Sequence, residues 1–444
     1  MRRNHVIPLK KEGPSLTIYT DKSVYVNSKG VATEFAEGAT NAATKMRLGK
    51  ISTEFTAGYL DAIILDCLKH PAAQFDLLPE HAATLTLLAH SITSEVGRAL
   101  VGLMFLQLAV KDICPAQSIR LHKGGGGEGN FSWRDGISMR VLDKNFVTPA
   151  LRKYGLVKLN KDGFMMTRTL AENYPYTPLY KAAIRGARGA WLQIVDWVEL
   201  QEMDANAALR LLITLLLQRN ERFNQQVDEM LLNVQTYCNQ PRNLSEILAL
   251  INRFVEETDY SARIFEIAIH AFMQALDDAK LLGGHLKVMS QMRSANKKHG
   301  NIGDIELTHT HGRMDIFEAW DAKYGKPNLR EELEELADKL IDHPQVERVG
   351  FITNTAPDLR TETTNRMADI TAAFSVEVQI VTLADWVGLQ MTRAGADPDL
   401  IGLQWLVALA ESIGQKRRAV APIDEPTNAW VATLTELMTA ENNG

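Results

Sequence analysis

The sequence predicts an α/β core around a mixed sheet in the C-terminal part of the chain, preceded by a mostly α-helical N-terminal part. Three observations support this fold class. Helix-like and strand-like hydrophobic patterns alternate through residues 259–386. Residues 302–323 have the pattern of a β-hairpin, with polar and glycine residues between two arms rich in Ile, Leu, Phe and Trp. Residues 179–258 carry apolar side chains at helical spacing almost throughout.

The composition is that of a globular protein of about two or three domains. The 444 residues are 45% hydrophobic and 23% charged, and the net charge of −6 means that any nucleic-acid surface has to be local. Cys67, Cys114 and Cys238 are far apart, which fits a reducing cytoplasm and excludes a zinc ribbon. The N-terminus lacks the apolar segment of a secretion signal, and apolar runs such as Leu209–Leu217 are too short to cross a bilayer. We therefore expect a cytoplasmic protein without membrane contact.

The first predicted domain covers residues 1–178 and is mostly helical. Leu16–Val26 alternates enough to form a short strand or hairpin. Residues 53–69 and 79–112 have apolar side chains three and four positions apart, which is typical of helices.

Residues 118–170 stand out by their charge, with ten Lys and Arg against four Asp and Glu, a local net charge of +6. Val147–Tyr154 indicates a helix, and Leu156–Thr169 indicates a hairpin with Lys161-Asp162-Gly163 as its turn. A helix followed by a basic hairpin is compatible with a winged-helix-like module that contacts phosphates, although a solvated basic face is the simpler alternative.

The candidate DNA contacts lie in this basic segment and in a second basic loop that precedes the hairpin of residues 302–323. They are Arg134, Arg140, Lys144, Arg152, Lys153, Lys158 and Lys161 in the first, and Asn296, Lys297 and Lys298 in the second. The glycine run Gly124–Gly127 lacks the ending of a phosphate-binding P-loop, and no such motif occurs elsewhere, so we expect no nucleotide cofactor.

Residues 179–258 carry no chemical motif and are predicted to form a helical connector or a dimerisation region. The third predicted domain, 259–444, begins with an amphipathic helix over residues 259–282. Glu266 lies inside its apolar run, where an acid is either exposed at the helix edge or directed into a site. The hairpin that follows favours a site.

The remaining elements of this domain alternate between strand and helix. They are a strand near Leu286–Met292, a helix over Leu329–Asp342, a strand over Val349–Thr353, a helix over Leu359–Phe374, a strand over Val376–Thr382 and a helical segment from about residue 385.

The hairpin arms, Ile302–Thr308 and Met314–Lys323, carry two acids and a lysine. If the chain folds back about residues 312 and 313, Asp304 lies across from Asp321, and Lys323 shares the strand face of Asp321. Asp315 has the same parity as Asp321 and is the rival first acid. The five residues between Asp315 and Asp321 leave no room for a turn, so Asp304 is preferred.

This set of side chains suits phosphodiester hydrolysis. Mg²⁺ prefers carboxylate, phosphate and water oxygens, and it can lower the pKa of a bound water and orient the substrate. Asp304 and Asp321 would be its ligands, with Glu266 reaching it directly or through water. Lys323 would orient or deprotonate the water and offset charge on the phosphorane.

The order of these residues resembles the PD-(D/E)XK nuclease superfamily, whose commonest bacterial members are type II restriction endonucleases. The matching positions are Glu266 in the first helix, Gly303-Asp304 at one strand and Asp321-Ala322-Lys323 at the next, within about residues 259–386. The chain departs from the family pattern with Gly303 where proline is usual and Asp321 where glutamate is commoner. The resemblance implies a Mg²⁺-dependent nuclease that cuts double-stranded DNA as a homodimer.

The leading expectation is therefore a sequence-specific type II restriction endonuclease. A phage-defence or modification-dependent nuclease of the same superfamily is the first alternative. The second is a non-catalytic DNA-binding protein in which Asp304, Asp321 and Lys323 are surface residues.

Overall fold

The structure is a computed structural model that describes most of the chain. The described residues are 13–71, 74–93, 96–123, 133–159, 162–165, 170, 174–289, 301–309, 315–326, 328–415 and 425–443. The chain divides into two compact units, Met1–Arg222 and Phe223–Gly444. The first contains a three-stranded antiparallel sheet and the second a five-stranded mixed sheet, each accompanied by helices, so the predicted mixed α/β class is confirmed.

The first unit combines a small sheet with a helical core. Its elements are β1 (Ser15–Ile18), β2 (Lys22–Val26), β3 (Ala32–Ala36), α1 (Ala42–Thr56), α2 (Tyr59–Lys69), α3 (Pro79–His90), α4 (Arg98–Ile113), α5 (Met139–Leu142), a π-helical turn (Asp143–Val147), α6 (Thr148–Lys153) and α7 (Arg188–Glu199). Residues 100–110 of α4 are buried without interruption, because a helix that is apolar on all sides belongs in the centre of a core. Gln107, the one polar side chain of that stretch, donates to the Ile119 carbonyl and accepts from the Trp191 indole.

The prediction of a hairpin over Leu156–Thr169 is wrong for the residues of this segment that the structure describes. Residues 156–159 and 162–165 contain no strand. Leu156, Leu159 and Met165 are buried in one core, whereas a hairpin would alternate between a buried and an exposed face. The segment packs onto the π-helical turn, where the Asp143 carboxylate accepts from the Met165 amide at 2.9 Å. The described residues of this segment therefore give no support to a winged-helix-like module.

The second unit is built on the sheet order β4-β5-β6-β7-β8. The strands are β4 (His285–Leu286), β5 (Ile305–Thr308), β6 (Ile316–Lys323), β7 (Arg348–Thr353) and β8 (Glu377–Thr382). β4, β5 and β6 pair antiparallel, and β6, β7 and β8 pair parallel. The strand predicted over Leu286–Met292 is shorter than expected, since residues 287–289 lie outside any strand and residues 290–292 lie outside the described residues.

Helices cover both faces of this sheet. They are α8 (Ala205–Cys238), in which the boundary between the units falls, α9 (Leu244–Glu257), α10 (Ser261–Asp278), α11 (Arg330–Leu340), α12 (Thr361–Phe374), α13 (Leu383–Ala394), α14 (Pro398–Ile413) and α15 (Thr427–Asn443). On one face, Trp320 joins a core with Phe272 of α10 and Trp386 of α13. On the other, Phe351 joins a core with Leu333 of α11 and Ile370 of α12.

The predicted domain boundaries, at 178/179 and 258/259, differ from the division between the units. The segment 179–258, predicted as a connector, contributes α7 to the first unit and α9 to the second. Among the described residues, no helix has both the length and the apolar character that spanning a membrane requires.

Gly350 of β7 provides a test of how tightly the sheet is packed. A Cβ at this position would lie 2.5 Å from the Trp320 ring and closer still to the Gln379 carbonyl oxygen. We expect Gly350→Ala to lower the free energy of unfolding by about 1–3 kcal/mol in urea titrations. Gly388→Ala in α13 is the control, because a Cβ there meets nothing within 4 Å and should stabilise the helix by about 0.5–1 kcal/mol. Equal effects of the two variants would contradict this packing.

Candidate functional site

The register of the β5–β6 hairpin agrees with the prediction. Ile305 pairs with Trp320 and Leu307 with Glu318, so continuing the ladder by one residue sets Asp304 opposite Asp321. The Asp304 amide donates to the Trp320 carbonyl at 3.0 Å, and its Oδ2 accepts from the Ala322 amide at 3.1 Å. Asp304 is therefore anchored to β6 on either side of Asp321, although it lies one residue before β5 begins.

Asp315 occupies the other end of the hairpin. It immediately precedes β6, six residues before Asp321, which corresponds to about 20 Å of extended strand. Its carbonyl accepts from the His309 amide at 3.3 Å. The structure thus brings Asp304, and not Asp315, beside Asp321.

Lys323 lies against Asp321 on the same strand face. Its Nζ is 3.2 Å from Asp321 Oδ2 and 5.7 Å from the centre of the Phe351 ring. Burial lowers the pKa of Lys323, but the carboxylates of Asp321 and Asp304 outweigh that effect, and the pKa lies above its ordinary value. Lys323 is consequently a cation at neutral pH.

Glu266 on α10 lies near enough to Asp321 and Asp304 to repel both of them. Its side chain is 13% exposed, and one carboxylate oxygen accepts from Arg263. Arg263 also pairs with the buried Glu425 at 2.9 Å, so one guanidinium is shared between two acids. Burial raises the pKa of Glu266, Arg263 opposes the shift, and repulsion by Asp321 adds to it.

Asp304 lies in the same repulsive surroundings. Burial raises the pKa of its carboxyl well above the ordinary range, and repulsion by Asp321 and then by Glu266 raises it further. Burial and these two neighbouring carboxylates therefore disfavour the ionised form of Asp304. A cation among them would relieve this repulsion.

The donor set fits Mg²⁺. The three side chains offer only carboxylate oxygens, the ligand type that this ion prefers, and Mg²⁺ is commonly held by one or two carboxylates with waters and phosphate oxygens. In the part of the chain that the structure describes, no three side chains of His, Cys, Asp and Glu converge as a ready-made metal-binding group. Asp304 and Asp321 would therefore be the principal protein ligands, with Glu266 beside them.

Close packing explains why position 303 is glycine and not the proline that is usual in the PD-(D/E)XK superfamily, which the sequence resembles. A Cβ at this position would lie 2.7 Å from the Trp320 carbonyl oxygen, the acceptor of the Asp304 amide. Only glycine allows the chain to approach β6 this closely.

Two side chains at the site were missed by sequence reasoning. Lys339 of α11 donates to the Ile302 carbonyl at 2.9 Å and lies 3.9 Å from Asp321 Oδ2. Glu306 of β5 accepts from the amide of Ile302 at 2.6 Å. Glu306 lies within the predicted first arm of the hairpin, where its spacing gives no sign of a role at the site, and nothing in the spacing of Lys339 links a helix residue to the hairpin.

The candidate DNA contacts of residues 134–158 lie on the surface of the first unit. Arg134, Arg140, Lys144, Arg152 and Lys153 are exposed and Lys158 is half-buried. Several have protein partners: Arg134 with Asp135, Lys144 with Asp162, Lys153 with Asp61 and Arg140 with the Met165 carbonyl. The remaining candidates, Lys161, Asn296, Lys297 and Lys298, lie outside the described residues.

Comparison with known proteins does not assign the chain to a family. The sequence matches no protein-family model and no curated protein.

Replacing Asp304 by Asn should stabilise the ion-free protein. Because the folded state raises the pKa of Asp304, the stability that its protonated form contributes is lost as the pH rises through that pKa. At about pH 8 with EDTA, relief of about 1 kcal/mol of repulsion corresponds to a Tm rise of about 2–4 °C. The gain should shrink as the pH falls and the native carboxyl takes up its proton.

The exposed Asp369 of α12 is the matched control for this experiment. Asp369→Asn should leave Tm unchanged at both pH values. A Tm that falls in Asp304→Asn at about pH 8 would contradict the proposed repulsion.

Proposed function

We propose that this protein is a Mg²⁺-dependent endonuclease that hydrolyses phosphodiester bonds in double-stranded DNA, of the sequence-specific type II restriction kind. One observation carries the proposal. A β-hairpin in a mixed sheet sets Asp304 across from Asp321, with Lys323 in contact with Asp321 and Glu266 facing them from the preceding helix. The two acids and the lysine follow one another along this hairpin of the sheet in the order that the PD-(D/E)XK superfamily would require.

Asp304, Asp321 and Glu266 would hold the ion in this proposal. When bound, Mg²⁺ supplies charge neutralisation at the phosphate and an acidified water. Their carboxylates would bind and orient it, and their partial burial would raise the strength of every charge interaction at the site.

Lys323 acts as a fixed cation rather than as a base. Its pKa is raised by Asp321 and Asp304, so it keeps its proton at neutral pH. Its ammonium group donates hydrogen bonds to a non-bridging oxygen of the attacked phosphate. It thereby offsets the negative charge that accumulates on that phosphate in the transition state.

The exposed cations of residues 134–153 are proposed to contact the DNA backbone. Arg152 and its neighbours lie on one short stretch, α6 and the turn before it, rather than on a winged-helix wing. Two copies of the chain would present two sites, one for each strand, which is the reason to propose a homodimer. The proposed location is the cytoplasm.

Cleavage of plasmid DNA tests the proposal directly. With Mg²⁺ the purified full chain should give discrete fragments, and EDTA should abolish them. Asp321→Ala and Lys323→Ala should each lower the cleavage rate by at least about 10² to 10³, the loss typical of a removed transition-state contact.

Asp369→Ala and Lys326→Ala are the controls, because both side chains are exposed and neither contacts Asp321. Both should cut at the wild-type rate. Cleavage that survives Asp321→Ala and Lys323→Ala would show that the site is assigned to the wrong residues. Parallel assays on methylated and unmethylated plasmid distinguish a restriction enzyme from a modification-dependent nuclease.

Salt-dependent binding tests the role of the basic segment. Neutralising one phosphate contact with Arg152→Gln should weaken binding to all DNA sequences alike. It should also lower the slope of log affinity against log salt by about 1. Lys29→Gln is the control, because Lys29 is exposed in the same unit and pairs with Glu202. Equal slopes for Arg152→Gln and the wild type would exclude α6 from the DNA surface.

A further inference from the structure

The turn that leads into Asp304 is held by side chains as well as by the sheet. Residues 301–304 precede β5 and belong to no strand. Within this turn both backbone polar groups of Ile302 form hydrogen bonds with side chains. Its amide donates to Glu306 and its carbonyl accepts from Lys339.

Glu306 grips the amide side. Its side chain is 3% exposed, and its Oε1 accepts from Ile302 N at 2.6 Å and from Gly303 N at 3.2 Å. Its other oxygen forms an ion pair with Lys287. A buried carboxylate with charged and amide partners on both oxygens is fixed in one orientation, so it holds two consecutive amides in place.

Lys339 grips the carbonyl side and also reaches the site. Its side chain, 11% exposed, extends from α11, which the buried Leu336 and Leu340 anchor to the sheet. Its Nζ donates to Ile302 O at 2.9 Å and stands 3.9 Å from Asp321 Oδ2. One ammonium group therefore connects the turn before the first acid to the second acid.

This arrangement opposes the repulsion between the acids. Asp304 and Asp321 repel each other and only two hydrogen bonds tie Asp304 to β6 among the contacts of the described residues. A turn that is free to move would swing Asp304 away from Asp321. Holding the turn from β5 and from α11 keeps the two carboxylates facing the same point before a cation arrives.

We propose that Glu306 and Lys339 form a clamp on the Ile302–Gly303 turn that positions Asp304 against Asp321 for divalent-cation binding. Both are positioning residues, since they act through the turn and not on the substrate. The inference rests on the proposed function for its consequence, cation binding, but the clamp itself is a property of the ion-free protein.

Hydrogen exchange of the ion-free full chain tests the clamp. In Lys339→Met, which keeps the aliphatic stem, amides of residues 301–304 should exchange about tenfold faster, the loss of about one hydrogen bond. Exchange in α11 and β7 should stay as in the wild type. Lys326→Met is the control, because Lys326 pairs with Glu332 of the same helix and contacts neither the turn nor Asp321.

Titration with Mn²⁺ alone tests the consequence. Lys339→Met and Glu306→Gln should each weaken Mn²⁺ binding about 10- to 100-fold, as losses behind metal ligands usually do. Lys339→Arg should restore most of the affinity, since it keeps a cationic donor. The double variant should bind Mn²⁺ with about the same affinity as the single variant of lower affinity, because both residues act on one turn.

The outcomes separate the two ideas. Wild-type exchange and Mn²⁺ affinity in Lys339→Met would overturn the clamp and leave the proposed nuclease intact. Faster exchange throughout α11 and β7 would also overturn it, because Lys339 would then stabilise the unit as a whole. A wild-type chain that binds no Mn²⁺ would overturn the proposed function and the positioning role with it, even if the 301–304 amides respond as expected.

Discussion

The pairing of β5 with β6 is the interaction on which the second unit depends. Ile305 opposite Trp320 sets the register, and the Trp320 ring then packs on Gly350 of the next strand and edge-on against Trp386 of α13. One ladder therefore determines the neighbouring parallel strand and the helical layer beneath it. A slip of one residue would turn Trp320 out of its core and Asp321 into it, which is why the register is so strongly specified.

The same ladder places carboxylates close together, and their repulsion has to be balanced by the surrounding structure. Asp304 and Asp321 lie together beside Lys323 with Glu266 facing them, and burial together with mutual repulsion raises the pKa of Asp304 and of Glu266. The neighbouring side chains balance part of this charge: Arg263 faces Glu266, and Lys339 faces Asp321. A local conflict of this kind, maintained by an otherwise consistent fold, is the reason to regard the cluster as a candidate functional site. Glu318 provides the contrast. Its buried carboxylate accepts hydrogen bonds from Arg348, Arg393 and Gln390, so its charge is fully compensated.

Sequence reasoning succeeded where a pattern is local. The periodicity of the C-terminal elements predicted α11, α12, β7 and β8 to within a few residues, because one buried face repeats along each of them. It failed over residues 156–159 and 162–165, the described part of the predicted hairpin, where Leu156, Leu159 and Met165 are buried together in an irregular segment. It also overlooked Lys339, whose contact with Ile302 spans 37 positions and leaves no trace in spacing.

The sequence by itself determined the hairpin and its register. The positions of Asp304, Asp321 and Lys323 relative to one turn are enough to bring them together, because strand geometry converts counting into distance. Only the tertiary structure decided how these groups are held and charged. The approach of α10 brings Glu266 and its shared Arg263, and the approach of α11 brings Lys339. Those contacts depend on how helices pack across a sheet, and packing joins residues that no local pattern relates.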